Sequence, residues 1–331
     1  MHPSEASITN LEIKPSEWQE LLAESPYSNA FQTEEMYNFL SSLEFLQTFL
    51  SYVRNPHGKL VGLAVGYIQA EKGIKKHFSC RAIIQGGLLL AKDIAEGELK
   101  TLLLDIKHKT SSAIYVEIRN NADYSKYKSV FEEVGFEYKP HLNCLIDCSD
   151  ADVAFKNMNE SRRRQVRIAT EAEYEVKMAE TKAEIDEFYH LLANHYKTKV
   201  KKPLFPKEFF AEIVSQKVGE IMLIKINGKV VSGMLQLCHE KTVYDYYVFG
   251  LDTQYPNNYP SVLVYWETIK RASTLGYTTF DTMGAGTPGQ TYGVRDFKLR
   301  FGSHLVEHGR FLSINKPLLY KLGTLAIKLI S

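Results

Sequence analysis

The pattern of apolar and polar positions in the first half of the chain predicts strands, followed by alternating helices and strands. Residues 46–55 and 59–70 are rich in strand-forming side chains and flank a turn. Residues 81–90 form a third apolar run, and residues 96–109 repeat apolar side chains at helical spacing. The remaining predicted elements are a strand at 113–118, a helix at 125–134 and an extended segment at 136–148.

The second half of the chain repeats this order of elements. A strand at 174–179 precedes two predicted helices, and Asn227-Gly228 is a strong turn dipeptide that predicts a hairpin of residues 221–226 and 229–238. The two helices are predicted at 183–196 and 206–216. The later elements are a strand at 242–250, a helix at 261–275, a strand at 277–283, a short helix at 294–301 and a final strand at 304–314.

Local sequence echoes indicate that this order arose by duplication. Residues 58–62 resemble residues 228–233, and residues 131–139 resemble residues 297–305. Two copies of one mixed α/β unit would explain both the length and the order of elements. We therefore predict a first domain at 1–150 and a second at 151–315, with the boundary near 147–152. The alternative is a pair of unrelated α/β domains.

Composition and charge narrow the class of protein. The chain has 331 residues, of which 44% are hydrophobic and 24% charged, and its formal net charge is +1. No global field therefore draws it to nucleic acid or membrane. The first 18 residues lack a secretory signal pattern, and no apolar run is long enough to cross a bilayer. These features predict a cytoplasmic protein.

The four cysteines are sparse and favour reduced thiols over a disulfide framework. Cys144 and Cys148 are four residues apart, a spacing that could suit a metal. No second pair and no histidine cluster completes such a site, so we predict buried thiols and no metal.

Three features of the second half carry a family resemblance. A helix containing Tyr265 and Trp266 ends in Leu-Gly-Tyr at 275–277, a strand ends in Asp281 before a glycine-rich loop, and Asp-Phe-Lys at 296–298 is followed by Phe-Gly. These features resemble the FemABX family, which transfers amino acids from aminoacyl-tRNA onto peptidoglycan precursors. The resemblance covers most of residues 155–311 and implies two tandem acetyltransferase-like (GNAT-like) domains, with catalysis in the second.

The resemblance implies that Lys298 is catalytic, because it sets this Phe-Lys pair beside the reacting ester. A positioned cation lowers the barrier for acyl transfer by stabilising the tetrahedral oxyanion. Asp281 could position the amine or take its proton, or it could instead cap the loop that follows it. The alternative for Lys298 is a solvated surface lysine.

Further residues are predicted to bind substrate. Residues 283–293 match neither a P-loop nor a dinucleotide-binding pattern, and are read as a mobile substrate loop or, alternatively, a plain connection. The predicted substrate-binding residues of this loop and its surroundings are Gly284, Gly286, Arg295, Phe297 and Tyr265.

A basic helix precedes the first strand of the second half. Arg163, Arg164 and Arg167 share one helical face, and Lys199 belongs to a lysine cluster at 197–202. Together they could hold phosphates of tRNA or of a lipid-linked acceptor. The alternative is a solvated basic helix.

The donor is predicted to be a substrate, with no bound cofactor. In acetyltransferases of this fold, backbone amides of a glycine-rich turn hold the coenzyme A pyrophosphate. The corresponding turn at 251–263 lacks glycine and contains Pro256 and Pro260, which have no N–H to donate. This turn argues against a standard coenzyme A site, but a helix N-terminus remains at Ser261, so the donor is predicted to be either aminoacyl-tRNA or acyl-coenzyme A. The alternatives are a coenzyme A-dependent N-acyltransferase and a degenerate protein that binds an anionic lipid or RNA without turnover.

The acceptor is predicted to carry an amine, with a peptidoglycan precursor as one candidate. Met36 and Tyr37 stand where the family often has Trp and then Lys for a nucleotide-linked substrate, which weakens the case for that acceptor.

The tail at 316–331 reads as a helix with an apolar face of Leu318, Leu319, Leu322, Leu325, Ala326 and Leu329. The resemblance implies that it packs on the first domain, whereas its lysines favour peripheral contact with a membrane surface.

Overall fold

The computed structural model describes residues 13–70 and 79–330. Its strands form two seven-stranded mixed sheets. The elements of the first part of the chain are, in order, α1 Pro15–Glu24, α2 Glu34–Ser41, β1 Leu46–Arg54, β2 Leu60–Gln69, β3 Arg81–Gly86, β4 Leu89–Leu90, α3 Glu96–Lys109, β5 Tyr115–Asn120, α4 Lys128–Glu133 and β6 Glu137–Lys139.

The second part of the chain contains eight strands and seven α-helices among the residues described, besides a short π-helix at Tyr196–Val200. They are β7 Leu142–Asp147, α5 Ala151–Asn157, α6 Glu160–Glu171, β8 Glu175–Met178, α7 Lys182–His195, α8 Lys207–Ser215, β9 Glu220–Ile226, β10 Lys229–His239, β11 Thr242–Gly250, α9 Pro260–Thr274, β12 Thr279–Gly284, α10 Gly293–Leu299, β13 His304–Glu307, β14 Arg310–Ile314 and α11 Pro317–Ile330.

The two sheets have the same strand order and directions, as a duplication requires. The first sheet runs β1-β2-β3-β5-β14-β6, with β4 beside β2, and the second runs β9-β10-β11-β12-β7-β13, with β8 added outside β9. In each sheet the third and fourth strands of this order are parallel, and the other neighbours along it are antiparallel. The prediction of two GNAT-like domains is confirmed.

Two strands are exchanged between the domains, which differs from the predicted boundaries. β7 lies within the predicted first domain but pairs with β12 and β13 of the second sheet. β14 lies within the predicted second domain but pairs with β5 and β6 of the first sheet. Each segment read as one extended run, 136–148 and 304–314, is therefore two strands in different sheets.

The chain crosses between the sheets at Pro140-His141 and at His308-Gly309. Gly309 has a φ of +65°, and a Cβ there would lie 2.2 Å from Cε2 of Tyr138. Only glycine fits so close an approach of two crossing segments. The exchange holds the two domains together through backbone hydrogen bonds as well as through packing.

One hydrophobic core is shared by both domains. Phe39 of α2 packs against Phe209 of α8 with ring centroids 5.1 Å apart, and Phe31 packs against Tyr246 of β11 at 5.3 Å. These rings belong to a single buried cluster that spans the interface. Because burying apolar surface is the main stabilising term in folding, this cluster favours a fixed arrangement of the two sheets. Each domain has a second core on the far side of its own sheet.

Helix α11 contacts the first domain near its beginning. Tyr320 meets Tyr115 of β5 with ring centroids 5.5 Å apart, and the Lys316 amide donates to the Ile114 carbonyl. Leu318, Leu322 and Leu325 are 78%, 56% and 58% exposed. The predicted apolar face is therefore largely uncovered, and Ala326 and Leu329 lie outside the residues whose side chains are described.

Candidate functional site

The second sheet opens at its centre through two backbone features. Strands β11 and β12 are paired only from Thr242–Thr279 to Tyr244–Asp281, and then separate. Just beyond, the β10–β11 register shifts at a bulge, so that Asp245 and Tyr247 face consecutive residues of β10 and Tyr246 is extra. A bulge bends its strand and redirects its side chains. This bulge therefore changes the direction of the Asp245 side chain and its neighbours at the point where β11 and β12 separate.

Lys298 lies at this gap and is not the solvated side chain of the alternative reading. It is only 5% exposed, and its Nζ donates hydrogen bonds to the Thr282 carbonyl and, at 2.9 Å, to the Gly284 carbonyl. Burial lowers the pKa of Lys298, while the nearby carboxyls of Asp245 and Asp281 act in the opposite direction. The ammonium is thus fixed where the glycine-rich loop begins.

Asp281 is the last residue of β12 to pair with β11 and is 3% exposed. Its Oδ1 accepts a hydrogen bond from the Met283 amide at 2.7 Å, and Met283 has a left-handed φ of +60°. Asp281 therefore does cap the loop, as the alternative reading stated. Burial raises its pKa to about 6, despite the opposing Met283 hydrogen bond and the charge of Lys298. A carboxyl with this pKa is also suited to proton transfer near neutral pH.

Asp245 is a second buried carboxyl at the same place, and sequence reasoning missed it. It is 5% exposed, and burial raises its pKa to about 6. Its Oδ2 accepts a hydrogen bond from the Tyr265 hydroxyl, which places the predicted residue Tyr265 in the cluster. The signal that could have found it is a lone carboxylate within the apolar and aromatic run of β11. The site thus contains one buried lysine and two buried carboxyls.

Arg295, one of the predicted substrate-binding residues, holds the glycine-rich loop in place. The guanidinium donates to the carbonyls of Ala285 at 2.8 Å, Thr287 at 2.7 Å and Gln290 at 3.0 Å. Gly286 has a φ of +80°, and a Cβ there would lie 2.9 Å from Cδ1 of Tyr292. Arg295 therefore shapes this loop through its backbone.

Gly284 connects the loop to the crossing segment between β6 and β7. A Cβ on Gly284 would lie 3.0 Å from Nε2 of His141. The His141 side chain in turn lies 2.9 Å from the Arg310 guanidinium of β14. The crossing segment at Pro140-His141 therefore borders the loop, and it also contacts β14.

Phe297 and the basic helix α6 are joined through Arg162, which was not predicted as a site residue. Arg162 is 2% exposed, its guanidinium lies 4.3 Å from the ring centroids of both Phe297 and Phe301, and it donates to the Phe297 carbonyl. Arg162 thus holds the Phe-Lys element onto α6. Its position, before the predicted arginine face, gave no sign of burial.

The predicted arginine face is divided in the structure. Arg163 donates to the carbonyls of Lys156 at 2.9 Å and Met158 at 2.6 Å, so its charge is used within the chain. Arg164 and Arg167 are exposed, with Arg167 over the Phe155 ring. Lys199 is also exposed, and its Nζ lies 3.5 Å from Oγ1 of Thr253. Arg164, Arg167 and Lys199 remain candidates for binding phosphate.

In the turn that would hold coenzyme A, the Ser261 amide is already hydrogen-bonded to a side chain of the same turn, Asp252. Asp252 accepts a hydrogen bond from the Ser261 amide at 3.1 Å through Oδ1, and one from the Ser261 hydroxyl through Oδ2. Ser261 lies in the first turn of α9, where a pyrophosphate would bind. A carboxylate already occupies this position, and it would repel a second anion.

Comparison with known proteins agrees with this architecture. An acetyltransferase (GNAT) domain family model matches residues 156–298. The crystal structure of FemX superposes with a TM-score of 0.73 at 14% identity, covering 94% of this chain and 98% of that one. L-PGS from Bacillus licheniformis superposes with a TM-score of 0.59 at 14% identity, covering 94% and 96%.

A tandem GNAT protein from the clavulanic acid biosynthesis pathway superposes with a TM-score of 0.56 at 8% identity, covering 91% of this chain and 94% of that one. No curated protein matches the sequence significantly. Across the described part of the chain, no helix is long and apolar enough to span a membrane. Residues 156–298 are therefore similar to acetyltransferase (GNAT) domains, and the chain has the FemX-like tandem fold that the resemblance implied and is an acyltransferase.

Proposed function

We propose that this acyltransferase moves an aminoacyl group from the ester of an aminoacyl-tRNA to an amine on an acceptor, and that no bound cofactor takes part. A peptidoglycan precursor is the first acceptor to test. The observation that carries the choice of donor is the hydrogen bonding of Asp252 to the first turn of α9.

Asp252 disfavours coenzyme A for both steric and electrostatic reasons. The Ser261 amide, which would contact a pyrophosphate, already donates to the carboxylate. Two unit charges of the same sign about 4 Å apart repel by roughly 4 kcal/mol near a protein surface. Pro260, the residue before Ser261, has no N–H to offer in its place. An aminoacyl ester needs no pyrophosphate site at this helix.

The proposed reaction forms one amide bond and breaks one ester bond. The acceptor amine attacks the ester carbonyl, whose oxygen becomes an oxyanion, and the ribose hydroxyl then leaves. Lys298 has three N–H donors, and its two carbonyl hydrogen bonds leave one for that oxyanion. A donor fixed in this way needs little reorganisation in the transition state.

The proton lost by the amine is assigned to Asp281. Its pKa of about 6 leaves it mostly ionised at neutral pH, yet basic enough to accept a proton from an amine as the new bond forms. The proton then passes to the departing ribose oxygen, so that Asp281 returns to its starting state. Asp245, which accepts a hydrogen bond from Tyr265, acts on Lys298 through its charge. Because aminoacyl-tRNA is a cytoplasmic substrate, we place the reaction in the cytoplasm.

A donor comparison tests the proposal directly. The full chain is incubated with a peptidoglycan precursor that bears a free side-chain amine, together with either a mixture of aminoacyl-tRNAs or a mixture of acyl-coenzyme A thioesters. Mass spectrometry of the acceptor should show the mass of one aminoacyl group only in the first reaction, and tRNA treated with ribonuclease is the control. Turnover with acyl-coenzyme A alone would contradict the proposed donor.

A further inference from the structure

Helix α11 presents an apolar stripe to solvent. Leu318, Leu322 and Leu325 are 78%, 56% and 58% exposed, and their spacing of four and three residues puts them on one face of the helix. Single exposed leucines are ordinary on a protein surface, whereas a continuous apolar patch is typical of a surface that binds a partner. The stripe therefore indicates a docking surface.

The contact of α11 with the first domain determines which way the stripe faces. The Lys316 amide donates to the Ile114 carbonyl at 3.0 Å, and Tyr320 packs against Tyr115 with ring centroids 5.5 Å apart. Because successive residues are about 100° apart around a helix, Tyr320 lies on the side opposite the three leucines. The side that contacts the first domain is therefore not the side that carries the stripe.

The ionised side chains of α11 are all positive. Lys321 is exposed and borders the stripe between Leu318 and Leu322, and Lys328 follows seven residues later in the sequence, at the same place in the helical repeat. No aspartate or glutamate occurs between residues 308 and 331. A cationic edge beside an apolar stripe is the pattern of a helix that lies in the interface of an anionic bilayer.

This pattern fits a bilayer better than it fits another protein. Pairing two copies of the stripe would bring the lysines of both helices together, and opposed like charges disfavour a complex. A groove on a different protein would normally supply about ten hydrogen bonds. The exposed residues of the stripe offer only one side-chain donor for them, Lys321. A bilayer needs none, because leucines enter the acyl boundary while a lysine reaches the headgroups.

We propose that α11 docks the protein reversibly on a bilayer that contains anionic lipids, with Leu318, Leu322 and Leu325 in the acyl boundary and Lys321 at the headgroups. Both the apolar area and the charge contribute to binding of this kind, and a stripe of three leucines gives a weak contact. The inference concerns where the protein is held and depends on neither the donor nor the reaction.

Co-sedimentation of the full chain with lipid vesicles measures this contact. One set of vesicles contains phosphatidylcholine alone, and the other contains equal parts of phosphatidylcholine and phosphatidylglycerol. The protein should sediment with the anionic vesicles and much less with the neutral ones. Binding should fall in about 1 M salt, where the Debye length is only about 3 Å and the attraction between charges is screened.

Variants of α11 separate the apolar contribution from the charge. Leu322→Gln should lower the vesicle partition coefficient by about tenfold, because one leucine no longer enters the acyl boundary. Lys321→Gln should lower it by roughly fivefold, the attraction that one cation contributes near an anionic surface. Both residues are exposed, so the variants should fold normally, and thermal unfolding verifies this.

Leu104→Gln is the matched control. Leu104 is 53% exposed on α3, and α3 packs on the face of β5 that carries Val116. Tyr115, which contacts α11, is the neighbour of Val116 and therefore lies on the other face of the sheet. Leu104→Gln should bind anionic vesicles as the unaltered chain does.

Three results would overturn the inference. Equal vesicle binding by Leu322→Gln and the unaltered chain would remove the stripe from the contact, and a dimer in analytical ultracentrifugation that Leu322→Gln dissociates would assign the stripe to a second copy. No binding to anionic vesicles would leave a protein groove as the partner. Failure of the proposed function is recognised separately, because vesicle binding needs neither donor nor acceptor.

Discussion

Lys298 donates a hydrogen bond of 2.9 Å to the carbonyl of Gly284, so the buried ammonium and the start of the glycine-rich loop form one unit. A Cβ on the same glycine would lie only 3.0 Å from Nε2 of His141. The buried ammonium, the loop and the crossing segment of the chain therefore meet at Gly284. Substitutions at this unit should separate effects on turnover from effects on substrate binding.

Lys298→Met is expected to lower kcat by about a hundred- to a thousand-fold, because loss of one oxyanion donor typically has that effect. Donor affinity should change little, since the phosphates are assigned to other residues. Single-turnover kinetics with aminoacyl-tRNA measures both quantities. Met has nearly the length of Lys, so thermal unfolding should show a folded protein. Near-full turnover would remove Lys298 from catalysis and leave Asp281 as the leading candidate.

The acid limb of the kcat/KM profile is expected near pH 6. Burial raises the pKa of Asp281 to about 6, and its protonated form cannot accept the amine proton. Asp281→Asn should abolish most of the activity, and the acid limb should be missing from what remains. An acid limb that persists near pH 6 in this variant would assign the ionisation to another group, with Asp245 as the first to examine.

The ionisation of Asp281 should make the folded protein less stable as pH rises, whereas a salt-bridged carboxylate makes a protein more stable as pH rises. The pKa of Asp281 is raised from 3.8 in the unfolded chain to about 6 in the folded chain. The folded state therefore holds its proton more tightly, and the stability this provides is greatest below pH 3.8 and is lost as pH rises through about 6. The melting temperature of Asp281→Asn relative to the unaltered chain should thus increase from pH 4 to pH 8.

Arg162 and Arg164 lie two residues apart, but we predict that the first contributes to stability and the second to tRNA binding. Arg162→Ala should reduce the free energy of unfolding by about 2 kcal/mol or more, because it removes a buried cation between Phe297 and Phe301 and leaves a cavity. Arg164→Ala should leave stability within about 0.5 kcal/mol. It should instead weaken tRNA binding and reduce its dependence on salt. Urea unfolding and filter binding measure the two effects.

Much of the fold could be predicted from local pattern, because its main elements carry clear periodicity. The predicted helix at 96–109 coincides with α3, and the hairpin about Asn227-Gly228 joins β9 and β10. The strand exchange could not be predicted in this way. A strand's apolar pattern states that one face is buried but not which sheet it joins, and β7 and β14 suit either sheet.

The candidate site could be predicted only where a motif marked it. Lys298 and Asp281 lie in the motif, and the structure brings them together with Asp245 and Tyr265. Arg119 and Arg310 are almost two hundred positions apart in sequence and become neighbours only through the strand exchange. Their pairing depends on long-range topology, about which neither sequence spacing nor local charge carries information.

Asp252→Ala tests the cap on α9. Loss of an acceptor for first-turn amides typically costs about 1 kcal/mol, so the free energy of unfolding should fall by about that amount. Urea denaturation measures the change, and Asp252→Asn, which keeps one acceptor oxygen, should recover part of it. An unchanged free energy of unfolding in Asp252→Ala would show that the amide finds another partner, and would weaken the argument against coenzyme A.

Helix α11 should respond differently at its contact and on its exposed face. Tyr320→Ala removes an aromatic pair with Tyr115, and such pairs contribute about 1 kcal/mol, so the melting temperature of the protein should fall. Leu322 is 56% exposed, and Leu322→Gln should leave the melting temperature unchanged. Differential scanning calorimetry of the two variants is the measurement. An exposed leucine loses little when it is made polar. Strong destabilisation by Leu322→Gln would therefore mean that this face of α11 is covered in solution, contrary to the structure.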